Sequence, residues 1–263
     1  MKNVLSPAGR RSLREFAEAR VLLAFDFDGT LAPIVRSPDR ARMRPATGRL
    51  LQRVAARYPC VILSGRARAD VRKRLCGAPV REVVGSHGAE PRRPPPGMTG
   101  LVRRWRRKLE RRLAAFPAAW IEDKTYSLAV HYRGARDGGR TRAAIREAVA
   151  GLEGARLTGG KQVVNVVPRT APHKGLALER QRRRLRCDRV IYVGDDETDE
   201  DVFAGGRSRI LGIRVGFRSG SAAACYLRTQ ADVDRLLGAL ADASPRRRAF
   251  SSAKKGRPLP GPS

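Results

Sequence analysis

The stretch that most constrains how this chain can fold is Val21-Leu22-Leu23-Ala24-Phe25-Asp26-Phe27-Asp28-Gly29-Thr30-Leu31. Five apolar residues run without a break and end in two carboxylates spaced two apart, followed by glycine. A run that is apolar at every position has no solvent face, so it reads as a strand covered on both sides, as in a parallel sheet between helices. Alternate residues of an extended chain point the same way, so Asp26 and Asp28 can address one ligand while Phe27 turns away. Gly29 lets the chain leave the strand in a conformation that a β-carbon resists. Open α/β sheets bind ligands just beyond the carboxyl ends of their strands, which is where the acid pair falls. A turn built from Asp and Gly explains one aspartate, but not two behind a wholly apolar strand.

The pattern recurs. Cys60-Val61-Ile62-Leu63 is a second short apolar strand, and it delivers Ser64-Gly65-Arg66 at its end. Serine and arginine can hold phosphoryl oxygens or other anions, although a helix N-cap explains the serine equally well. A third strand, Val80–Val84, leads to Gly85-Ser86-His87-Gly88. A fourth, Cys187–Val193, runs into Gly194–Asp201, and Leu211–Val215 is the last. Helices are expected between them. One runs from Ser12 to Ala19, capped by Ser12 with Glu15 three residues on. Another carries Leu50, Leu51 and Val54 at helical spacing, and others cover Leu176–Arg184 and Ala231–Leu240. This alternation predicts an α/β fold with a parallel sheet.

The texture changes at Pro91 and Pro94-Pro95-Pro96-Gly97, which mark a boundary. Beyond them Leu101, Trp105, Leu109, Leu113 and Phe116 give an amphipathic helix whose outer face is mostly arginine. Two strand-like segments, Trp120–Tyr132 and Gln162–Val167, enclose a helix at Thr141–Leu152. The stretch Gly154–Lys161 has neither the spacing of a phosphate-binding P-loop nor the Ser or Thr that follows its lysine. We therefore expect a core formed by residues 1–90 and 169–243, a smaller inserted α+β cap at 91–168, and a disordered basic tail at 244–263 that contains no acid.

Two further features carry chemistry. His173-Lys174-Gly175 opens a helix, where the dipole disfavours a cation, so Lys174 needs an anionic partner. After the fourth strand, six of the chain's 25 acidic residues fall within seven positions, Asp195–Asp201. Such a cluster repels itself; a helix start relieves part of the strain, and a bound cation would offset the rest. Carboxylates without clustered His or Cys select Mg²⁺ over zinc. An acid pair, a hydroxyl, a lysine and a metal-binding cluster are the parts that phosphate-monoester hydrolysis asks for. One carboxylate can attack phosphorus, and the other can protonate the leaving alcohol and then deprotonate water.

These four motifs, Asp-Phe-Asp-Gly-Thr, Ser-Gly-Arg, Lys174 and Gly-Asp-Asp, resemble those of the haloacid dehalogenase superfamily. The resemblance implies a Rossmann-like core. It makes Asp26 the nucleophile and Asp28 the general acid/base, with Ser64 and Lys174 holding the phosphoryl group. Mg²⁺ would be bound by Asp26, the backbone carbonyl of Asp28, and Asp195, with Asp196 and Asp199 as auxiliaries. Further motifs are similar to the trehalose-6-phosphate phosphatase family: Gly85-Ser86-His87-Gly88, Glu122-x-Lys124-x-x-Ser127-x-x-x-His131-x-Arg133, and Gly160-Lys161 followed by Pro168. That similarity implies that Arg66, Glu122, Lys124, Arg133 and Lys161 bind sugar, with His87 and Asn165 beside them. Asn165 stands where the family usually has a glutamate, and an amide still donates and accepts hydrogen bonds. The implied substrate is trehalose 6-phosphate, with sucrose phosphate or another sugar phosphate as the alternative. A trehalose-6-phosphate synthase on a separate chain is the implied functional partner.

Lys and Arg outnumber Asp and Glu by 55 to 25, a net charge of +30. That balance raises nucleic acid as a partner of a decayed phosphatase core. The basic residues spread along the whole chain, however, and aromatic residues that could stack on bases are 5%. The charge reads as solvated surface, and the intact acid pair, lysine and acid cluster argue against decay. A sensor that binds without turnover would lack the nucleophile, and Asp26 is present. Cys60, Cys76, Cys187 and Cys225 show no paired spacing and fit buried, reduced thiols in a cytoplasm. No apolar run approaches a membrane span, which takes about 20 residues.

Overall fold

The computed structural model describes residues 1–90, 96–160, 162–169, 173–206 and 208–243. The proline boundary at 91–95, Lys161 and the expected tail at 244–263 lie outside them. In chain order the first part holds β1 (Lys2–Asn3), α1 (Pro7–Ala17), β2 (Val21–Phe25), α2 (Pro45–Arg57), β3 (Cys60–Leu63), α3 (Arg68–Arg74) and β4 (Glu82–Val84). The middle holds α4 (Met98–Arg112), β5 (Trp120–Asp123), β6 (Leu128–His131), α5 (Gly138–Ala150), β7 (Ala155–Gly160) and β8 (Val163–Pro168). The last part holds α6 (Lys174–Arg184), β9 (Arg189–Gly194), α7 (Glu200–Phe203), β10 (Ile210–Val215), β11 (Cys225–Leu227) and α8 (Asp232–Asp242).

A seven-stranded sheet runs β1-β11-β10-β9-β2-β3-β4, and every pairing in it is parallel. The apolar run of β2 behaves as its sequence requires. Val21, Leu23 and Phe25 enter a cluster with α1, α2 and α8, while Leu22 and Ala24 enter another with α6 and α7. Phe25 pairs with Ile62 on one side and Val193 on the other, so β2, β3 and β9 end level with one another. The chain leaves β2 toward β3 on one side and returns as β9 on the other, which makes the space above β2 the switch point where such sheets bind ligands.

The middle segment forms a separate antiparallel sheet, ordered β5-β6-β8-β7. Leu128, Val130, Val164 and Val166 pack beneath Val102, Trp105, Leu109, Ile145 and Val149 of α4 and α5. Helices therefore cover one face of this sheet. Period two sends Trp120 and Glu122 of β5, His131 of β6, and Val163 and Asn165 of β8 to the other face.

Several local expectations change. The first helix begins at Pro7, capped by Ser6, whose hydroxyl accepts from Gly9 N–H at 3.2 Å. Ser12 lies inside that helix and accepts from Lys2 instead. Proline in the first turn is pre-set for a helix and has no N–H to lose there, which favours the earlier start. Trp120–Tyr132 is two strands, not one, because Asp123 accepts from Thr125 N–H at 2.7 Å and turns the chain, with Thr125 at φ +69°. β7 occupies most of the stretch Gly154–Lys161, for which no strand is expected from the sequence. α3, β1 and β11 were not foreseen; in α3 only Val71 is buried. Cys60, Cys187 and Cys225 are buried, but Cys76 is exposed, in a left-handed turn beyond α3. No helix among the described residues is long and apolar enough to cross a membrane.

Candidate active site

The end of β2 delivers both acids to one cleft of about 550 Å³, while Phe27 is fully buried in the core between them. Asp26 N–H donates to Val193 O at 2.8 Å, which extends the β2–β9 pairing by one residue. The chain then turns through Gly29 at φ +78°. A β-carbon on Gly29 would run into the carboxylate of Asp195, so glycine is required here for conformation and for the approach of Asp195.

Asp26 is 5% exposed. Beside it the ammonium of Lys174, 2% exposed, lies 3.1 Å from Asp26 Oδ1 and donates to Asp199 Oδ1 at 2.7 Å. Asp199 also accepts from Tyr192 Oη at 2.6 Å and from Asp196 N–H at 2.9 Å. The anionic partner that a lysine at a helix start demands is therefore a pair of buried carboxylates. Burial alone would lower the Lys174 ammonium, but Asp199 and Asp26 raise it above its ordinary value, so it stays charged. Burial is also the largest influence on Asp26 and pushes its carboxyl up; Lys174 pulls it down, and Asp199, Asp195 and Asp28 push it up again.

Asp28 faces a different partner. Arg66 donates through Nε and Nη2 to its two carboxylate oxygens at 2.6 and 2.8 Å, and through Nη1 to Asp70 at 3.0 Å. Ser64 lies 1% exposed at the end of β3, its hydroxyl accepting from Arg66 N–H at 3.1 Å. The loop from Ser64 to Arg66 is held by the next motif, where Ser86 N–H donates to Arg66 O at 2.8 Å and His87 N–H to Ser64 O at 3.0 Å. Reaching both carbonyls puts Ser86 and His87 in left-handed conformations, φ +50° and +56°, a strain that non-glycine residues bear mainly at functional sites. The His87 ring packs against Gly65, and its two nitrogens are buried without hydrogen-bond partners. Burial, helped by Lys124, Lys174 and Arg156, pulls its pKa well down and keeps the ring neutral.

Of the acids beyond β9, Asp195 and Asp199 bring carboxylate oxygens within 4.8 Å of one another and of Asp26, all three residues being buried. This donor set, hard oxygens without sulfur or imidazole, fits Mg²⁺. The side chains of Asp28 and Asp196 lie outside that group: Arg66 takes the first, and the second caps the following turn by accepting from Glu197 N–H at 2.7 Å. Arg214, which sequence reading missed, fixes the backbone beneath. It is 7% exposed on β10 and donates to Asp195 O at 2.6 Å, Asp196 O at 3.2 Å and Glu200 at 2.8 Å. A lone charge in the apolar run Ile210–Val215 was its signal. Tyr192 and Asp70 were missed as well, and neither stands out in the sequence.

The opposite wall of the cleft is the uncovered face of the antiparallel sheet. Glu122 Oε2 lies 2.8 Å from His131 Nε2 and 3.8 Å from Lys124 Nζ. The hydrogen bond with His131 is the main cause that holds Glu122 below its usual range. Burial lowers the Lys124 ammonium, against Glu122 and Asp28, which raise it. Asn165 is buried at 5% exposure and borders the cleft. Arg133 lines it too, donating to Gln162 at 3.1 Å and to the carbonyls of Val35 and Arg36 at 3.2 and 3.4 Å, across to the core. Lys161 lies outside the described residues. Trp120, not foreseen as a site residue, stands on the same wall.

Comparison with known proteins gives a consistent result. Residues 24–226 match the family model described as trehalose-phosphatase. Trehalose-phosphate phosphatase from Mycobacterium tuberculosis is 37% identical over 195 residues, which cover 68% of this chain and 49% of that protein. The chain thus spans about half the length of the curated relatives it matches. A crystal structure of Aspergillus fumigatus trehalose-6-phosphate phosphatase superposes with TM-score 0.63 at 25% identity, covering 92% of this chain and 99% of that one. The C-terminal domain of Candida albicans trehalose-6-phosphate phosphatase gives TM-score 0.76 at 22% identity, covering 92% and 98%, a likeness of fold.

Proposed function

The chain belongs to the trehalose-phosphatase family, and from that premise we propose that it hydrolyses trehalose 6-phosphate to trehalose and inorganic phosphate. The observation that carries the reading is the single cleft in which Asp26, Asp28, Lys174 and Asp195 face Glu122, Lys124, His131 and Asn165. One wall suits a phosphoryl group and the other a hydroxyl-rich sugar.

Asp26 is the nucleophile. Its carboxylate oxygen bonds to phosphorus as the bond from phosphorus to the sugar oxygen breaks, and Asp28 gives that oxygen a proton. Asp28 then takes a proton from water, the water oxygen bonds to phosphorus, and the bond to Asp26 breaks to release phosphate. Arg66 grips both Asp28 oxygens and fixes the orientation of that carboxylate in the cleft. For the first step Asp28 must part from Arg66, whose guanidinium is then available to the substrate. Lys174 and Ser64 hold phosphoryl oxygens, and Asp199 with Tyr192 keeps Lys174 in place.

Asp26 and Asp195, with Asp199 beside them, would hold Mg²⁺, which when bound offsets the negative charge of the phosphoryl group. Asn165, where the family usually has a glutamate, favours a second reading with another sugar phosphate as substrate. On either reading the reaction belongs to a cytoplasm, and a trehalose-6-phosphate synthase supplies the preferred substrate. The test is phosphate release from trehalose 6-phosphate with Mg²⁺ and after chelation. Chelation should abolish release, and so should Asp26→Asn. Undiminished release by that variant would refute the nucleophile.

A further inference from the structure

Trp120 is an anomaly among the large apolar side chains. Its indole is 52% exposed, whereas Trp105, the chain's other tryptophan, is 2% exposed. Leaving an indole in water forfeits burial free energy that a folded chain normally collects. The five large apolar side chains left exposed among the described residues are Met1, Ile34, Trp120, Leu176 and Phe217. Two of them, Trp120 and Ile34, line the same cleft, one from each wall.

Trp120 is also held in a defined orientation. It pairs with His131 across the β5–β6 ladder, and the two rings stack with centroids 4.0 Å apart and planes 9° from parallel. His131 is fixed in turn by Glu122, 2.8 Å away. A carboxylate orients an imidazole, and the imidazole orients an indole. An aromatic ring kept rigid and half-exposed inside a polar cleft presents a flat apolar surface at little conformational cost.

Resting on the reading of the site as a disaccharide-phosphate pocket, we propose that Trp120 is the stacking platform for the sugar ring farther from phosphorus, with Ile34 closing on the same ring from the core. Hexose rings carry axial C–H groups on their faces and hydroxyls on their rims. The C–H face suits the negative face of an aromatic ring, while the rim suits Glu122, Lys124 and Asn165. Position along β5 selects the ring. Glu122 lies within the electrostatic reach of Arg66, beside Asp28. Trp120 is two residues further along the strand, about 7 Å away. A monosaccharide phosphate anchored at Asp26 would leave this platform uncovered, so Trp120 discriminates by length.

The experiment compares kcat/KM for trehalose 6-phosphate with kcat/KM for p-nitrophenyl phosphate, which has no second ring. Trp120→Ala should lower the ratio by roughly tenfold through KM, and Trp120→Phe should restore most of it. In the Asp26→Asn protein, trehalose 6-phosphate should change tryptophan emission, and adding Trp120→Phe should remove the change. An unaltered ratio in Trp120→Ala, or an emission change that survives Trp120→Phe, would overturn the proposal. Should the wild-type protein release phosphate from a different sugar phosphate and not from trehalose 6-phosphate, the substrate reading falls. The same ratio, measured on that sugar phosphate, then decides the role of Trp120.

Discussion

The ammonium of Lys174 stands 3.1 Å from Asp26 Oδ1 while donating to Asp199 at 2.7 Å, with almost no solvent contact. A buried cation held by two buried carboxylates is one electrostatic unit, and removing it leaves like charges facing each other. Lys174→Met should cost about 3–5 kcal/mol of stability, the penalty of breaking a buried pair from one side. It should also lower phosphate release by at least about 100-fold, since charge stabilisation at the phosphoryl group is lost. Urea unfolding and a phosphate assay measure the two effects.

Gly29 cannot accept a side chain without moving Asp195. Gly29→Ala adds a left-handed strain of about 1–2 kcal/mol, a small loss of stability. Its larger effect should be on cation binding, because Asp195 is driven from its place beside Asp26. A titration of phosphate release against Mg²⁺ should show the half-saturating concentration rising by about tenfold or more.

Phe27, between the two site acids, is fully buried in the main core cluster. Phe27→Ala should destabilise the fold by about 3–5 kcal/mol. Calorimetry should show a lower Tm. Activity at low temperature should survive far better than in Asp26→Asn, which separates the structural residue from its chemical neighbours.

Glu82 bears on acid stability. Burial raises its carboxyl, but hydrogen bonds from Arg68 and Val83 N–H, with the charge of Arg184, lower it below the usual value overall. Arg68 lies 2.9 Å away and Arg72 3.6 Å. A carboxyl depressed in the folded state stabilises it above the unfolded pKa, about 4.3, and that contribution fades as pH falls through the folded value. Unfolding free energy followed from pH 6 downward should therefore drop more steeply in the wild type than in Glu82→Gln below about pH 5.

How far the sequence was legible follows from how local each signal is. β2, β3 and β9 were readable because strands buried on both faces are apolar at every position, and each ends in residues that do not suit a core. Lys174 announced an anionic partner by its place at a helix start, though not which acids would supply it. The antiparallel sheet was harder. Its turn at Asp123–Thr125 uses neither Gly nor Pro, and β7 ends in two glycines, a residue type depleted in strands. Arg214 acts on carbonyls 18 and 19 residues earlier in the chain, whereas Tyr192 meets Asp199 seven residues on and Asp70 pairs with Arg66 and Arg74 at i,i+4, contacts that depend on the fold of the loops between them. The stacking of Trp120 on His131 depends on strand register, which the sequence alone did not reveal.

The most direct measurement is steady-state phosphate release from trehalose 6-phosphate, sucrose 6-phosphate and glucose 6-phosphate with saturating Mg²⁺, by the wild type and by Asp26→Asn. The expected result is a kcat/KM for trehalose 6-phosphate at least about tenfold above the others, and no release by the variant. Efficient turnover of sucrose 6-phosphate with none of trehalose 6-phosphate would contradict it.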